Sequence, residues 1–411
     1  MSPLQGYPEG YGAHVRSAEP TFKNRGDKVL KVRRCIYGLK QSGRMWYQRL
    51  RSWLQTEGFT QECNDPCVFA SQNKDVLLGV YVDDLIVTGP GDLEGFVATL
   101  SSKFEVEDQG DLTYILGTNI ERNKEGIKVH QKRYIESLVE RHLGDPTESQ
   151  STPAPKQLAE LVTAVSRGDS SAVLLAGDEA SEYRSLVCAL MFATTVSRPD
   201  VAYTVGMLAR CLHKPTASLL RIARRTLAYL NGTKSHGLKY PSGAGVSLTG
   251  RYISPETIRH SQVEGASDAS WEEEYSTSGW VFCLGGVPVA WGSKKQDSVS
   301  LSSTEAEIMA SSLAAQDAIY LRSLLAACGL PSPGPTILLV DNQSAIALSK
   351  DPVLFKRVKH ISRRHFFVRD CVEDGTIETV FVPTHKNAAD IFTKVLPKDA
   401  FFRFRDRLIR D

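Results

Sequence analysis

The sequence predicts an α/β (α+β) chain whose last third ends in a five-stranded mixed sheet flanked by helices. Three observations predict it. The 411 residues are 42% apolar and 23% charged, enough to bury two or three separate cores. Short apolar runs of β character alternate with stretches of helical period. From residue 263 on, the order reads three strands, helix, strand, helix, strand, helix, an α/β order.

In chain order, residues 1–27 are Gly-, Pro- and polar-rich without a period and read as an arm or as the cut edge of something larger. Residues 44–58 carry apolar positions at helical spacing. The runs 76–82 and 85–88 flank Asp83 and Asp84 and predict a hairpin. Helices are expected over 92–104 and 132–142. Ser, Thr, Pro and Ala dominate 144–182, which reads as a linker with one weak helix near 156–165. Residues 183–230 are helical, broken near Pro199 and Pro215, and the Gly/Ser-rich 232–250 reads as a second junction. Strands follow at 262–267, 279–284, 287–292, 336–340 and 376–382. Helices are expected at 303–328 and 342–350, with a last one opening at Asn387. The domain boundaries drawn from this are 1–143, 144–182, 183–250 and 251–411.

The net charge of +2 favours no class of partner. Local basic clusters at 28–34, 221–225 and 356–369 suit a phosphate backbone or a solvated helix face equally. Eight cysteines form no ladder, so a reducing compartment is expected. Cys63 and Cys67 lack the second pair a zinc finger needs. Residues 1–12 lack the apolar run of a signal peptide, and no run of about 18 apolar residues would span a membrane.

Four carboxylates stand where a fold can converge them. Asp268 lies at the end of the first strand of the last domain, and Glu307 in the opening turns of the long helix. Asp341 follows the apolar run Ile337-Leu338-Leu339-Val340, and Asp390 lies near the start of the last helix. Acids gathered there would repel one another, and bound Mg²⁺ (or Mn²⁺) would relieve the repulsion. Each acid alone has a plainer reading: Asp341 as a helix cap, Asp390 as a helix-start charge.

Beyond these acids, residues 263–399 resemble the ribonuclease H domain of copia-type retroelement polyproteins. The resemblance rests on Gly265-Ala-Ser-Asp-Ala-Ser-Trp271, Ser276-Thr-Ser-Gly279, Trp291-Gly-Ser-Lys-Lys-Gln296, Leu301-Ser-Ser-Thr-Glu-Ala-Glu307, Asp341-Asn-Gln-Ser344, Lys359-His360-Ile361 with His365-Phe366, and Asn387-Ala-Ala-Asp-Ile-Phe-Thr-Lys394. It implies a two-metal site of Asp268, Glu307, Asp341 and Asp390 that cleaves the RNA strand of RNA–DNA hybrids. Glu305 is the rival of Glu307, which is preferred because Ile308-Met309-Ala310 follows it. His385 reads as a surface histidine or, by resemblance, as a proton shuttle. His360 and His365 read as packing or phosphate contacts. Two departures, the short turn with Glu272-Glu273-Glu274 and the long 242–261 segment, bear on substrate fit.

The first domain resembles the reverse transcriptase of the same elements. The matching residues are Cys35-Ile-Tyr-Gly-Leu-Lys-Gln-Ser-Gly-Arg-Met-Trp-Tyr47, Tyr81-Val-Asp-Asp84, and Tyr114-Ile-Leu-Gly117 with Gln131 and Tyr134. By that resemblance Asp83 and Asp84 are polymerase metal ligands. Lys40 and Arg44 face template or nucleotide phosphate, and Tyr37 and Gly38 lie near the incoming nucleotide. The family's third aspartate, on an earlier palm strand, has no match before Lys31, and Gly43 stands where the family has proline. A partial palm and a lost polymerase activity are therefore expected, unless an upstream polyprotein fragment supplies the strand. Tyr183-Arg-Ser-Leu-Val, Ser197-Arg-Pro-Asp-Val201 and Leu227-Ala-Tyr-Leu-Asn-Gly-Thr233 resemble the thumb and connection, with Arg221, Arg224 and Arg225 tracking the nucleic-acid backbone. The implied partners are RNA–DNA hybrid and single-stranded RNA or DNA. The implied location is a cytoplasmic virus-like particle with later nuclear access. The alternative reading is a non-catalytic nucleic-acid-binding remnant.

Overall fold

The computed structural model describes residues 39–62, 65–144, 149–169, 173–254, 263–271, 275–350 and 362–411. Tyr37, Gly38, Cys63, Glu272–Glu274, His360, the side chain of His365 and the basic residues 28–34 lie outside the described residues. Two compact units are present: one comprises residues to Leu112 with Ser323–Gly329, the other Thr113–Arg322 with Leu330–Asp411.

In the first unit, helix α1 (Ser42–Thr56) places Leu50, Trp53 and Leu54 on one face by their i, i+3, i+4 spacing. They pack with Phe69, Leu78, Val80, Leu100 and Phe104. These come from an antiparallel sheet in the order β1 (Thr60–Gln61), β2 (Val68–Ala70), β3 (Leu77–Tyr81), β4 (Asp84–Thr88), and from or beside helix α2 (Leu93–Lys103). The expected hairpin is present. Tyr81 pairs with Asp84 across a two-residue turn, Val82-Asp83. Such turns need a left-handed residue, and Val82 takes that role with φ +55° despite its branched Cβ. The indole of Trp46 donates to the Val82 carbonyl at 2.9 Å and pins the strained turn.

In the second unit, β5 (Tyr114–Ile115), β6 (Thr118–Asn123) and β7 (Gly126–His130) form an antiparallel meander that β8 (Leu238–Pro241) extends. Helices α3 (Lys132–His142), α4 (Leu158–Arg167), α5 (Gly177–Val196), α6 (Ala202–Ala209) and α7 (Ala217–Gly232) complete this part. After the short pair β9 (Gly245–Val246) and β10 (Tyr252–Ile253) comes the five-stranded mixed sheet. Its strands are β11 (Val263–Ser270), β12 (Thr277–Leu284), β13 (Val287–Lys295), β14 (Thr336–Val340) and β15 (Ile377–Phe381), in spatial order β13-β12-β11-β14-β15. The first three pair antiparallel, and β11, β14 and β15 pair parallel. Helices α8 (Ser303–Ala327), α9 (Gln343–Lys350), α10 (Ser362–Glu373) and α11 (Lys398–Leu408) accompany it.

Several expectations are corrected. The helix expected near 156–165 is present as α4, but it is no loose insert in a linker: it buries Leu158, Val162 and Val165 at i, i+4, i+7 and stops at left-handed Gly168. The 232–250 junction contains β8, whose pairing with β7 depends on a distant partner that local pattern does not reveal. The last helix does not open at Asn387. Two 3₁₀ turns, Thr384–Lys386 and Ala388–Phe392, come first, and α11 begins only after Pro397, which bars the residue before it from helical backbone. The unit boundary falls at residue 113, because β7 and α3 pack with β8 and α7.

One apolar core runs through the second unit, from Leu138, Tyr183 and Leu227 to Val281, Phe392 and Phe404. At its centre Arg198 is fully buried. Its guanidinium donates to both carboxylate oxygens of Asp200, to the Thr233 carbonyl and to the Thr233 hydroxyl, while the Tyr229 hydroxyl donates to Asp200 at 2.6 Å. Burial alone would raise the Asp200 carboxyl, but Arg198 and the hydrogen bonds hold it below the usual range. The pair therefore loses stability only as pH falls below the ordinary aspartate range.

Asp200→Asn leaves a buried guanidinium uncompensated and should destabilise the unit by about 3–5 kcal/mol in urea unfolding. Glu182→Gln, which breaks the exposed pair with Arg224, should cost under ~1 kcal/mol. Equal effects would contradict the role given to the buried pair.

Candidate metal centre

Strand pairing sets the first two acids side by side. In the parallel ladder Glu264, Gly265 and Ala266 stand opposite Ile337, Leu338 and Leu339. The same register carried two residues on aligns Asp268 with Asp341, where β14 has just ended. Asp341 is not spent on capping: Asn342 is the cap, its Oδ1 accepting the Ala345 N–H at 2.9 Å.

Asp390 arrives on the 3₁₀ turn Ala388–Phe392. Asn387 staples that turn to the sheet, donating to the Ser267 carbonyl at 2.9 Å and accepting from the Ala389 N–H at 3.1 Å. Gly279, the β12 partner of Asp268, makes room for it. A Cβ at Gly279 would lie 2.7 Å from both Phe392 Cβ and Thr393 Cγ2. The result is that Asp268, Asp341 and Asp390 each bring one oxygen to within 4.8 Å of the others.

Helix α8 adds Glu307. Ala306, Ala310, Ser311, Ala314, Ala315 and Ala318 are all buried and small, and small buried residues let a helix lie close to its neighbours. Glu307 Oε1 accepts the Ala269 N–H at 3.3 Å, while its Oε2 is buried with no hydrogen-bond partner. Glu305 is occupied at the helix start instead: its N–H donates to Ser302 Oγ and its Oε2 accepts the Leu301 N–H at 2.7 Å.

Burial, and then Asp268 and Asp341, push the Glu307 carboxyl up to about 9. Burial and then Asp268 push Asp390 up to about 7. Asp341 is raised by burial and Asp268, against a hydrogen bond from Thr384. Thr393 donates its hydroxyl to Asp268. Burial would lower the Lys394 ammonium, but Asp268 and Asp390 reverse that and raise it. An oxygen-only donor set, mutually repelling acids and the orphaned buried oxygen of Glu307 fit a hard divalent cation such as Mg²⁺ or Mn²⁺.

The other candidates are dispersed. Asp83 and Asp84 are exposed at the hairpin tip, and among the described residues no third acid, His or Cys groups with them. Lys40 and Arg44 are exposed at the start of α1. Of the three α7 arginines, Arg224 is held by three hydrogen bonds to Glu182, and Arg225 is half-buried with its Nη2 on Thr152. Arg221 is exposed and, among the described residues, bonds to Ser218 of its own helix. His385 is exposed on its turn. Asn387, Thr384, Thr393 and Lys394 were missed as site residues. Three of them lie in the stretch that ends in Lys394, which had been singled out for Asp390 alone.

Residues 15–155 match the reverse transcriptase (RNA-dependent DNA polymerase) family. Over 95% of its length the chain is 34% identical to the retrovirus-related Pol polyprotein from transposon RE1 of Arabidopsis thaliana, of which it spans 26%. It is 30% identical to the putative transposon Ty5-1 protein of Saccharomyces cerevisiae, covering 70% of this chain and 88% of that protein. A foamy viral protease–reverse transcriptase, solved with an RNA/DNA hybrid, aligns over 85% of this chain and 39% of that one at 14% identity and a TM-score of 0.43.

Raised carboxyls make the cation-free fold prefer the protonated acids. Groups near 7 and 9 in the fold are ionised in the unfolded chain by about pH 5. The stability they contribute is therefore present at low pH and lost as pH rises through these values. Thermal unfolding without divalent cation should thus show a melting temperature that falls from about pH 5 to about pH 9, and saturating Mg²⁺ should flatten that slope. A melting temperature that rises over this range would contradict the electrostatics described.

Proposed function

The chain belongs to the retrovirus-related Pol polyproteins of copia-type transposons, and from that premise we propose that its last third is a ribonuclease H hydrolysing the RNA strand of RNA–DNA hybrids. Membership makes it a retroelement reverse transcriptase and ribonuclease H-like protein; the activity is our reading. The observation that carries it is the convergence of Asp268, Asp341 and Asp390 beside the buried, unpartnered oxygen of Glu307.

In this reading Asp268, Asp341, Asp390 and Glu307 hold two divalent cations. When bound, these supply activation of a water and stabilisation of the leaving oxygen in phosphodiester hydrolysis. The chain's own residues prepare the site. Thr393 and Thr384 orient Asp268 and Asp341, and Asn387 fixes the turn that aims Asp390. The acids' proximity is what makes cation binding favourable there.

For the reverse transcriptase part, Asp83 and Asp84 offer two carboxylates without a third among the described residues. We read polymerisation as needing an upstream polyprotein segment. Lys40, Arg44 and Arg221 are exposed cations that can meet phosphate. Location in cytoplasmic particles, with later nuclear access, is part of the same proposal.

The purified chain in Mg²⁺ should cleave the RNA of a labelled hybrid and spare single-stranded RNA. Asp341→Asn should lower the rate by more than the ~100-fold typical of outer-shell changes, while Asp83→Asn should leave it unaltered. Hybrid binding without cleavage by the folded chain would favour the binding-remnant reading instead. Gly279→Ala, which pushes the Asp390 turn off β12, should cost roughly 100-fold in cleavage. A Gly279→Ala chain that cleaves at the wild-type rate would show that the close approach is not needed.

A further inference from the structure

The segment that delivers Asp390 also delivers a cation. Lys394 follows it by four residues, and its Nζ lies 2.9 Å from Asp390 Oδ1 and 3.7 Å from Asp268 Oδ2. The approach to Asp390 is a close ion pair with its buried Oδ1. The Lys394 side chain is 41% exposed, so it has an open path to solvent, whereas Asp268 and Asp390 are almost wholly enclosed.

An ammonium this close to both carboxylates and a divalent cation held by these acids would compete for the same space. Lysine suits such an exchange, being a compact charge on a four-carbon flexible stem, where a guanidinium would lock in a fork. Without any cation, the chain must fold with several acids gathered in its interior. A tethered charge offsets that repulsion.

We propose that Lys394 is the resident counter-ion of this centre, occupying the position between Asp268 and Asp390 in the cation-free chain and leaving it when a divalent cation binds. The proposal rests on the metal-centre reading given above. It makes Lys394 a positioning residue that stabilises the empty site at the expense of cation affinity.

The test uses Ca²⁺ alone as probe, on the full chain. In calorimetry, Lys394→Met should bind Ca²⁺ roughly five-fold more tightly than the wild type, because a like charge a few ångströms away has been removed. In the wild type, Ca²⁺ should speed acetylation of Lys394 by an amine-reactive reagent, read by mass spectrometry. Equal or weaker Ca²⁺ affinity in the variant overturns the proposal, and so does labelling that Ca²⁺ leaves unchanged or slows. If Lys394→Met does not fold, the wild-type labelling decides alone. Asp341→Asn separates the two readings. Ca²⁺ binding that it abolishes keeps the metal centre even where the Lys394 result is negative, whereas Ca²⁺ binding indifferent to it overturns both.

Discussion

Acids brought within a few ångströms inside a protein repel one another, and much of the second unit is arranged to hold them against that repulsion. The parallel ladder between β11 and β14 sets Asp268 beside Asp341. The Asn387 staple and the bare Cα of Gly279 let a 3₁₀ turn bring Asp390 in from the other side. The small residues of α8 let Glu307 approach until one of its oxygens is buried with no hydrogen-bond partner among the described residues. Each device costs stability or freedom of sequence, and together they make sense as the housing of a cation.

That housing is not an autonomous lobe. Its core is continuous with the helices that precede it. The Trp291 indole donates to the Thr194 carbonyl at 2.7 Å, the Tyr240 hydroxyl to the Pro288 carbonyl at 2.8 Å, and Arg210 to the Thr277 hydroxyl at 2.9 Å. Tyr229 of the Arg198 network also packs edge-on against Phe401 of α11. Helices α5, α6 and α7 thus act as structural support for the sheet that carries the acids. This explains why two of their arginines, 224 and 225, are committed to protein partners.

Much of this was legible from sequence where the signal is local. The strand 336–340 was read with its observed bounds, because a buried parallel strand is a plain apolar run. The hairpin around Asp83 and Asp84 was equally plain. Glu307 is preferred over Glu305 from the Ile308-Met309-Ala310 that follows it, and the structure sets them apart by the Leu301 bond to Glu305 and the orphaned oxygen of Glu307. Asp341 read equally well as a cap until Asn342 was seen in that role. The pairing of β7 with β8, the partner of Arg224 and the lysine beside Asp390 depend on residues distant in sequence or on side-chain direction, which periodicity does not encode. The late start of α11 was missed although Pro397 announces it.

The central claim is that Asp268, Asp341, Asp390 and Glu307 form one divalent-cation centre. Anomalous diffraction from crystals grown with Mn²⁺ tests it most directly. The account predicts anomalous density bounded by Asp268, Asp341 and Asp390, with the free oxygen of Glu307 turned toward it. Mn²⁺ bound elsewhere, with these four acids unliganded, would contradict it.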